Sequence, residues 1–271
     1  MKRVILSVVV AVVFAASFAG YGAGTACAQD WAKAALAKSP RHGEWVTVKH
    51  DGRSVDTFVV YPEVKDKRPV VLVIHEIFGM SDWVQELADE VAAAGYIAVA
   101  PDLLSGMGPG GGRSSSFAEG KTMEAVSKLP PDQVTADLNA AADYAKKIPA
   151  GNGKIVTMGF CWGGAKSFAF ATHRKDLSAA VVFYGTGPDD VSTITAPVYG
   201  FYGGNDARVD ATIPATTAAM KAAGKKYEPV TYDGAGHGFM RAGEDPNNTN
   251  PANKTAREQA MARLIPLIKG M

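Results

Sequence analysis

Residues 154–164 read Lys-Ile-Val-Thr-Met-Gly-Phe-Cys-Trp-Gly-Gly. Lys154–Met158 is a short β-branched and apolar run, the signature of a strand. An apolar stretch with helical character follows, from Cys161 to His173. Cys161 sits at the junction with glycine at 159 and 163, which is the Gly-x-nucleophile-x-Gly spacing of a nucleophile elbow, with Cys in place of Ser. A strand that turns so tightly into a helix leaves no room for side chains two residues to either side, so glycine belongs there. The strained turn lifts the reactive atom above the sheet edge. The free N–H groups and dipole of the helix that starts there favour a thiolate. The plainer alternative is an inert cysteine opening an ordinary helix; the paired glycines, the strand before and the helix after argue against it.

Outward from this turn the chain alternates strand and helix. Pro69–Ile74 is an apolar run expected to be buried on both faces. Ser81 can cap a helix carrying Val84, Leu87, Val91 and Ala94 on one stripe, ending at Gly95. Tyr96–Ala100 is the next buried strand, and Pro101 closes it. A helix is expected from about Asp132 to Ile148. Strands follow at Ala179–Tyr184, Val198–Tyr202 and Glu228–Tyr232, with helices at Ile213–Ala223 and Lys254–Ile268. Residues 44–62 read as a hairpin turning at Asp51-Gly52. The expected fold is therefore α/β: a mostly parallel sheet with helices on both faces and an N-terminal β-hairpin. Residues 105–131 form a Gly/Ser-rich excursion with too few side chains for a core, expected as a mobile loop. Its glycine run closes in Gly112-Arg-Ser114, where a phosphate loop needs Gly-Lys-Ser/Thr, so no nucleotide is expected there.

A thiol nucleophile needs a base and an orienting acid. In a sheet of this kind they arrive later in the chain, at the carboxyl ends of strands. Asp206 follows the strand Val198–Tyr202 in Gly203-Gly-Asn-Asp206, and His237 follows the strand ending at Tyr232 in Gly236-His-Gly-Phe239. The order nucleophile, acid, histidine assigns His237 to take the proton of Cys161 and Asp206 to hold the ring. Either residue alone is an ordinary turn residue; three at strand ends form a constellation. Glu76 follows the strand ending at Ile74 and shares the sheet edge with Cys161. The backbone N–H groups of Ile77 and Trp162 are then candidate oxyanion donors. His75-Glu76 begins like a zinc helix, but position 79 is Gly rather than His, so no metal is expected. No other cofactor is expected.

Composition closes off other classes. The 271 residues carry 28 Lys+Arg against 27 Asp+Glu, a formal charge of +1. Such a balance argues against nucleic acid and anionic membranes as general partners. Residues 1–28 read as a cleavable export signal: Lys2 and Arg3, an apolar run from Val4 to Ala19, then Ala26-Cys27-Ala28. Retention as an anchor and a lipid on Cys27 are the alternatives. Cleavage removes two cations and no anion, so the formal charge becomes −1. Residues 29–271 are expected as a single domain of an exported, monomeric protein with Cys161 as its one cysteine.

The segments His75-Glu-Ile-Phe-Gly79, Pro101-Asp-Leu103, Gly159-Phe-Cys-Trp-Gly-Gly164, Gly204-Asn-Asp206 and Gly236-His-Gly-Phe239 together resemble the dienelactone hydrolase family, a Cys-Asp-His branch of the α/β-hydrolases. The resemblance runs from about residue 45 to the end. It implies hydrolysis of an enol lactone or similar activated ester through an acyl-thiol intermediate. It also implies that Glu76 contacts Cys161 at rest and that Arg241 holds a substrate carboxylate. A second arginine expected after Leu103 is missing, since Leu104-Ser105-Gly106 stand there; Arg113 is the conjectured substitute. The expected partner is a small ester or lactone. The alternatives are a broader exported carboxylesterase on the same site, or an idle scaffold that binds a ligand or senses redox state through Cys161.

Overall fold

An uninterrupted apolar strand requires cover on both faces, and the computed structural model of the chain, which describes residues 29–271, supplies it. The elements begin with α1 (Asp30–Leu36), β1 (Gly43–His50), β2 (Arg53–Val60), β3 (Arg68–Ile74), α2 (Asp82–Ala93) and β4 (Ile97–Pro101). The middle of the chain forms α3 (Lys121–Ser127), α4 (Pro131–Lys147), β5 (Gly151–Phe160), α5 (Trp162–His173) and β6 (Ala179–Phe183). The last third forms β7 (Val198–Gly203), α6 (Ala207–Asp210), α7 (Ile213–Ala222), β8 (Tyr227–Tyr232), α8 (Phe239–Ala242) and α9 (Pro251–Lys269).

Among the described residues, eight strands join one sheet in the order β1-β2-β4-β3-β5-β6-β7-β8. The expected hairpin is β1 and β2, which pair antiparallel; β2 runs antiparallel to β4, and every later pair is parallel. Side-chain alternation divides the core in two. Val71 and Val73 of β3 pack with Trp83, Val84 and Leu87 of α2 and with Ala260 and Leu264 of α9 on one face. Val70, Leu72 and Ile74 pack with Leu138 and Ala141 of α4 and Phe168 of α5 on the other. From β3 the chain steps to β4 on one side and later to β5 on the other. That reversal opens a crevice at the strands' carboxyl ends, where ligands bind in open α/β sheets.

Three local expectations change. The 105–131 segment is not uniformly without structure: it contains α3, and Val126 and Leu129 are buried in the core. Its glycine-rich half is held at Ser114, whose backbone N–H and hydroxyl both donate to the buried Asp102 carboxylate just after β4, at 2.9 and 2.6 Å. At the amino end, α1 packs Ala32 into the core beside α2, an element the sequence pattern does not announce. The last helix starts at Pro251, three residues earlier than expected, because Asn250 caps it by accepting from the Ala252 N–H. The leader read at residues 1–28 lies outside the described residues. No helix among the described residues is long and apolar enough to cross a membrane.

Candidate active site

Cys161 stands between β5 and α5 at φ 54°, ψ −116°, a left-handed conformation that only a closely packed turn imposes on a residue with a side chain. The flanking glycines are required by backbone. A Cβ on Gly159 would lie 1.9 Å from the Gly163 carbonyl oxygen, and one on Gly163 would lie 2.2 Å from that of His75. The Cys161 N–H donates to the Phe183 carbonyl at the end of β6, which ties the turn to the neighbouring strand.

The other two members arrive as the strand order requires. His237 Nε2 lies 3.0 Å from Cys161 Sγ, and His237 Nδ1 lies 2.5 Å from Asp206 Oδ2. Asp206 is buried and also caps α6, its Oδ1 accepting from the Val209 N–H, so its carboxylate is fixed before it meets the imidazole. Burial opposes a charge on His237. Its hydrogen bond to Asp206 and the neighbouring Cys161 outweigh that and raise the ring to about 9. The ring therefore carries a proton at neutral pH, and Nδ1 donates to Asp206. The Tyr184 ring meets the imidazole edge-on at 5.1 Å between centroids.

Glu76 is buried on the same sheet edge, but its hydrogen-bonding partners differ from those the resemblance implies. Oε2 accepts from Arg241 Nε at 3.1 Å and Oε1 from the Tyr184 hydroxyl at 3.4 Å. Its hydrogen bonds go to these two groups and not to Cys161. Arg241, expected to face a substrate carboxylate, is thus engaged by an internal one. Arg113 does not replace the missing arginine: its guanidinium lies 3.6 Å from the Trp45 ring centroid and 3.7 Å from Asp56. The backbone N–H groups of Ile77 and Trp162 have no hydrogen-bond partner among the described residues. Ile77 lies in the turn after β3, and Trp162 opens α5 directly after Cys161.

Tyr184, which the sequence reading passes over, and His75, which it weighs only as a zinc ligand lacking its partner, pack against these groups. His75 is wholly buried, stacked on Trp162 at 5.6 Å, with Nδ1 donating to the Glu76 carbonyl and Nε2 accepting from the Leu103 N–H. Burial disfavours its charged form, so it is a neutral wedge behind the turn. Tyr184 follows β6 at φ 38° and is buried against Glu76 and His237. Its place at a strand end, directly before Gly185, is the signal that marks it.

Comparison with known proteins agrees with this geometry. The family model described as the dienelactone hydrolase family matches residues 55–271. A carboxymethylenebutenolidase of Pseudomonas putida is 30% identical over 230 residues, covering 80% of this chain and 94% of its own. A Salmonella typhimurium protein named as a proposed carboxymethylenebutenolidase is 32% identical over 209 residues, covering 71% of this chain and 76% of its own. Among solved structures, a proposed dienelactone hydrolase from Klebsiella pneumoniae superposes with a TM-score of 0.70 at 28% identity, covering 82% of this chain and 97% of its own. A dienelactone hydrolase-like promiscuous phosphotriesterase from metagenomic libraries superposes with a TM-score of 0.71 at 22% identity, covering 85% and 98%, and supports the fold. The match begins in β2 and runs through the elbow, the Asp206 loop and the His237 loop to the last residue, and on it the chain belongs to the dienelactone hydrolase family of α/β-fold hydrolases.

Proposed function

We propose that this hydrolase cleaves activated esters or enol lactones with Cys161 as nucleophile, His237 as proton carrier and Asp206 as the group that orients the ring. The observation that carries this reading is the continuous contact from Sγ through the imidazole to a buried carboxylate, with the cysteine held at a positive φ. Cys161 Sγ attacks the ester carbonyl, and the oxygen that gains the electron pair accepts hydrogen bonds from the Ile77 and Trp162 N–H groups. The intermediate collapses to an acyl-thiol as the leaving oxygen departs with the proton from His237 Nε2. Neutral His237 then takes a proton from water, hydroxide adds to the acyl-thiol, and collapse frees the acid and restores the thiolate–imidazolium pair. Thiolate leaves more readily than an alkoxide, so an ordinary alkyl ester reverts, whereas an enolate or phenolate departs. That competition restricts the substrates to esters with a stabilised leaving oxygen.

A second reading, a broader carboxylesterase, is favoured by one observation: Arg241 is already paired with Glu76, and Arg113 is engaged elsewhere. Comparing a carboxylated lactone with a neutral aryl ester separates the two. Export with removal of residues 1–28 belongs to the same proposal, and the intact mass of secreted protein tests it. Cys161→Ala tests the chemistry. Hydrolysis of an aryl acetate should fall by a factor on the order of 10³ or more while the fold persists. Retained turnover in that variant would refute a thiol mechanism.

A further inference from the structure

Three carboxylates converge between α2 and the turn that follows α8. Glu86 and Glu90 lie four residues apart and so share one face of α2, while the fold carries Glu244, just past α8, to meet them. Each offers one oxygen, and the three oxygens lie within 4.8 Å of one another. Two like charges at this helical spacing already repel, and the fold adds a third.

The surrounding donors answer this charge only in part. Arg257 of α9 donates through Nη2 to Glu90 Oε2 and lies 3.0 Å from Glu244 Oε2, which also accepts from Nε1 of the wholly buried Trp83 at 3.0 Å. These contacts all fall on Oε2, so Glu90 and Glu244 each have a second oxygen for a ligand. Arg41, whose guanidinium also feels Glu86, is bonded twice by Asp89. With the three carboxylates ionised, the one guanidinium bonded to them leaves two negative charges over. Glu86 is the decisive member: it is only 6% exposed, and its Oε2 has no hydrogen-bond partner among the described residues. A buried polar atom without a partner costs free energy that a ligand can recover.

We propose that Glu86, Glu90 and Glu244 form a calcium site that clamps α2 to the turn after α8. A donor set made of carboxylate oxygens selects hard cations over zinc or copper, which favour nitrogen and sulfur. Ligands on opposite sides of calcium stand about 4.6–5.2 Å apart, and those across magnesium about 4.0–4.2 Å. Oxygens held within 4.8 Å therefore already surround a calcium-sized ion. The Glu90 side chain is 28% exposed, which opens a route from solvent and room for waters to complete the coordination. Without the ion, a proton takes its place on Glu86. The Glu244 N–H donates to the Arg241 carbonyl, so the clamp reaches the end of the segment that carries His237 and Arg241. The ion's role is structural, and the proposal stands apart from the chemistry at Cys161.

The test strips the purified protein with EDTA, removes the chelator, and adds CaCl2 or MgCl2 at neutral pH. Calorimetry should show calcium binding with a Kd of about 10⁻⁴–10⁻³ M, the range of extracellular calcium modules. Tm should rise by about 3–6 °C when calcium is tenfold above Kd, and less with magnesium at the same concentration. Terbium chloride should give luminescence sensitised by the Trp83 indole, which bonds Glu244, and CaCl2 should quench it. Glu86→Gln removes one ligand and spares both Arg257 contacts, so the variant folds; it should weaken calcium binding tenfold or more and lose the rise in Tm. Glu244→Asp, which keeps the charge but withdraws the oxygen, should weaken binding from an independent position. Glu124→Gln, at an exposed carboxylate on α3, should respond to calcium as wild type does. A wild type whose Tm does not move at about 10 mM CaCl2, well above the expected Kd, would overturn the site. So would a calcium response in Glu86→Gln equal to that of wild type, which would place the ion elsewhere. A magnesium response as large as that to calcium would defeat the choice of ion.

Discussion

Arg241 Nε donates to Glu76 Oε2 across 3.1 Å, joining residues 165 positions apart in the chain. Glu76 is almost wholly buried, whereas the Arg241 side chain is 30% exposed. A buried carboxylate that loses its cation is left uncompensated, and that loss normally costs more than the pair itself contributes. Arg241→Ala should therefore destabilise the protein by about 1–3 kcal/mol, below the full buried-pair range because one partner reaches solvent. Glu76→Gln added to Arg241→Ala should recover part of that loss, since the orphaned charge is gone. Urea unfolding of the two variants checks this; a double variant no more stable than Arg241→Ala would show that the pair contributes through packing.

His237 is raised to about 9 because Asp206, and then Cys161, overcome the effect of burial. The unfolded value is near 6.5, so the charged ring stabilises the fold fully below pH 6.5, and this contribution is lost as pH climbs through about 9. Asp206→Asn removes one of the two contacts that favour the charged ring, the one made through the stronger hydrogen bond. It should lower the His237 midpoint toward the ordinary range, flatten the stability loss between pH 6.5 and 9, and reduce aryl ester turnover on the order of 10²–10⁴-fold. Histidine NMR titration reads the midpoint directly. A His237 midpoint that stays put in Asp206→Asn contradicts the assignment of Asp206 as its anchor.

Ser114 bridges two parts of the molecule. It donates to Asp102 through both its N–H and its hydroxyl, and its hydroxyl oxygen accepts from the Met80 N–H at 3.0 Å. The excursion after β4 is thereby latched onto the turn that follows Glu76. Ser114→Ala leaves the Met80 N–H without its acceptor and Asp102 without one donor, a loss of about 1–3 kcal/mol in a buried setting. Because the latch serves one segment, amide exchange and proteolysis should rise between residues 105 and 120 more than in β3 or β5. Uniform loss of protection across the sheet would mean that the latch supports the whole fold.

The sheet and the meeting of Cys161, His237 and Asp206 are legible in the sequence for a common reason: all three residues follow strand ends. Cys161, Asp206 and His237 each come shortly after a strand, in segments that carry glycine. Partner choice among neighbouring charges is not legible. Glu76 and Arg241 meet each other, but which atoms they touch depends on rotamers and on Tyr184, whose backbone strain leaves no periodic trace. Helix α3 escapes notice because seven residues, Lys121–Ser127, are too few to display an apolar stripe after a run of Gly and Ser. α1 is equally short and buries only Ala32.

Glu86 of α2 lies beside Glu90, also of α2, and Glu244, just past α8, while Arg257 of α9 bonds Glu90 and pairs with Glu244. Its Oε2 is buried without a hydrogen-bond partner among the described residues. Burial first, then the Glu90 charge and the adjoining Glu244, push its carboxyl up to about 10 against the opposing pull of Arg257. A carboxyl raised in the folded state favours folding at low pH, and that advantage fades as pH rises from the unfolded value of 4.5 through about 10. At pH 7 the folded chain must hold a proton that the unfolded chain has released. Glu86→Gln keeps the shape without that requirement and should stabilise the protein by on the order of 1–3 kcal/mol at pH 7–8, with no gain below pH 4.5. Thermal unfolding of wild type and variant across this range measures the difference. A gain equal at pH 4 and pH 8 would locate the benefit in packing rather than in the proton.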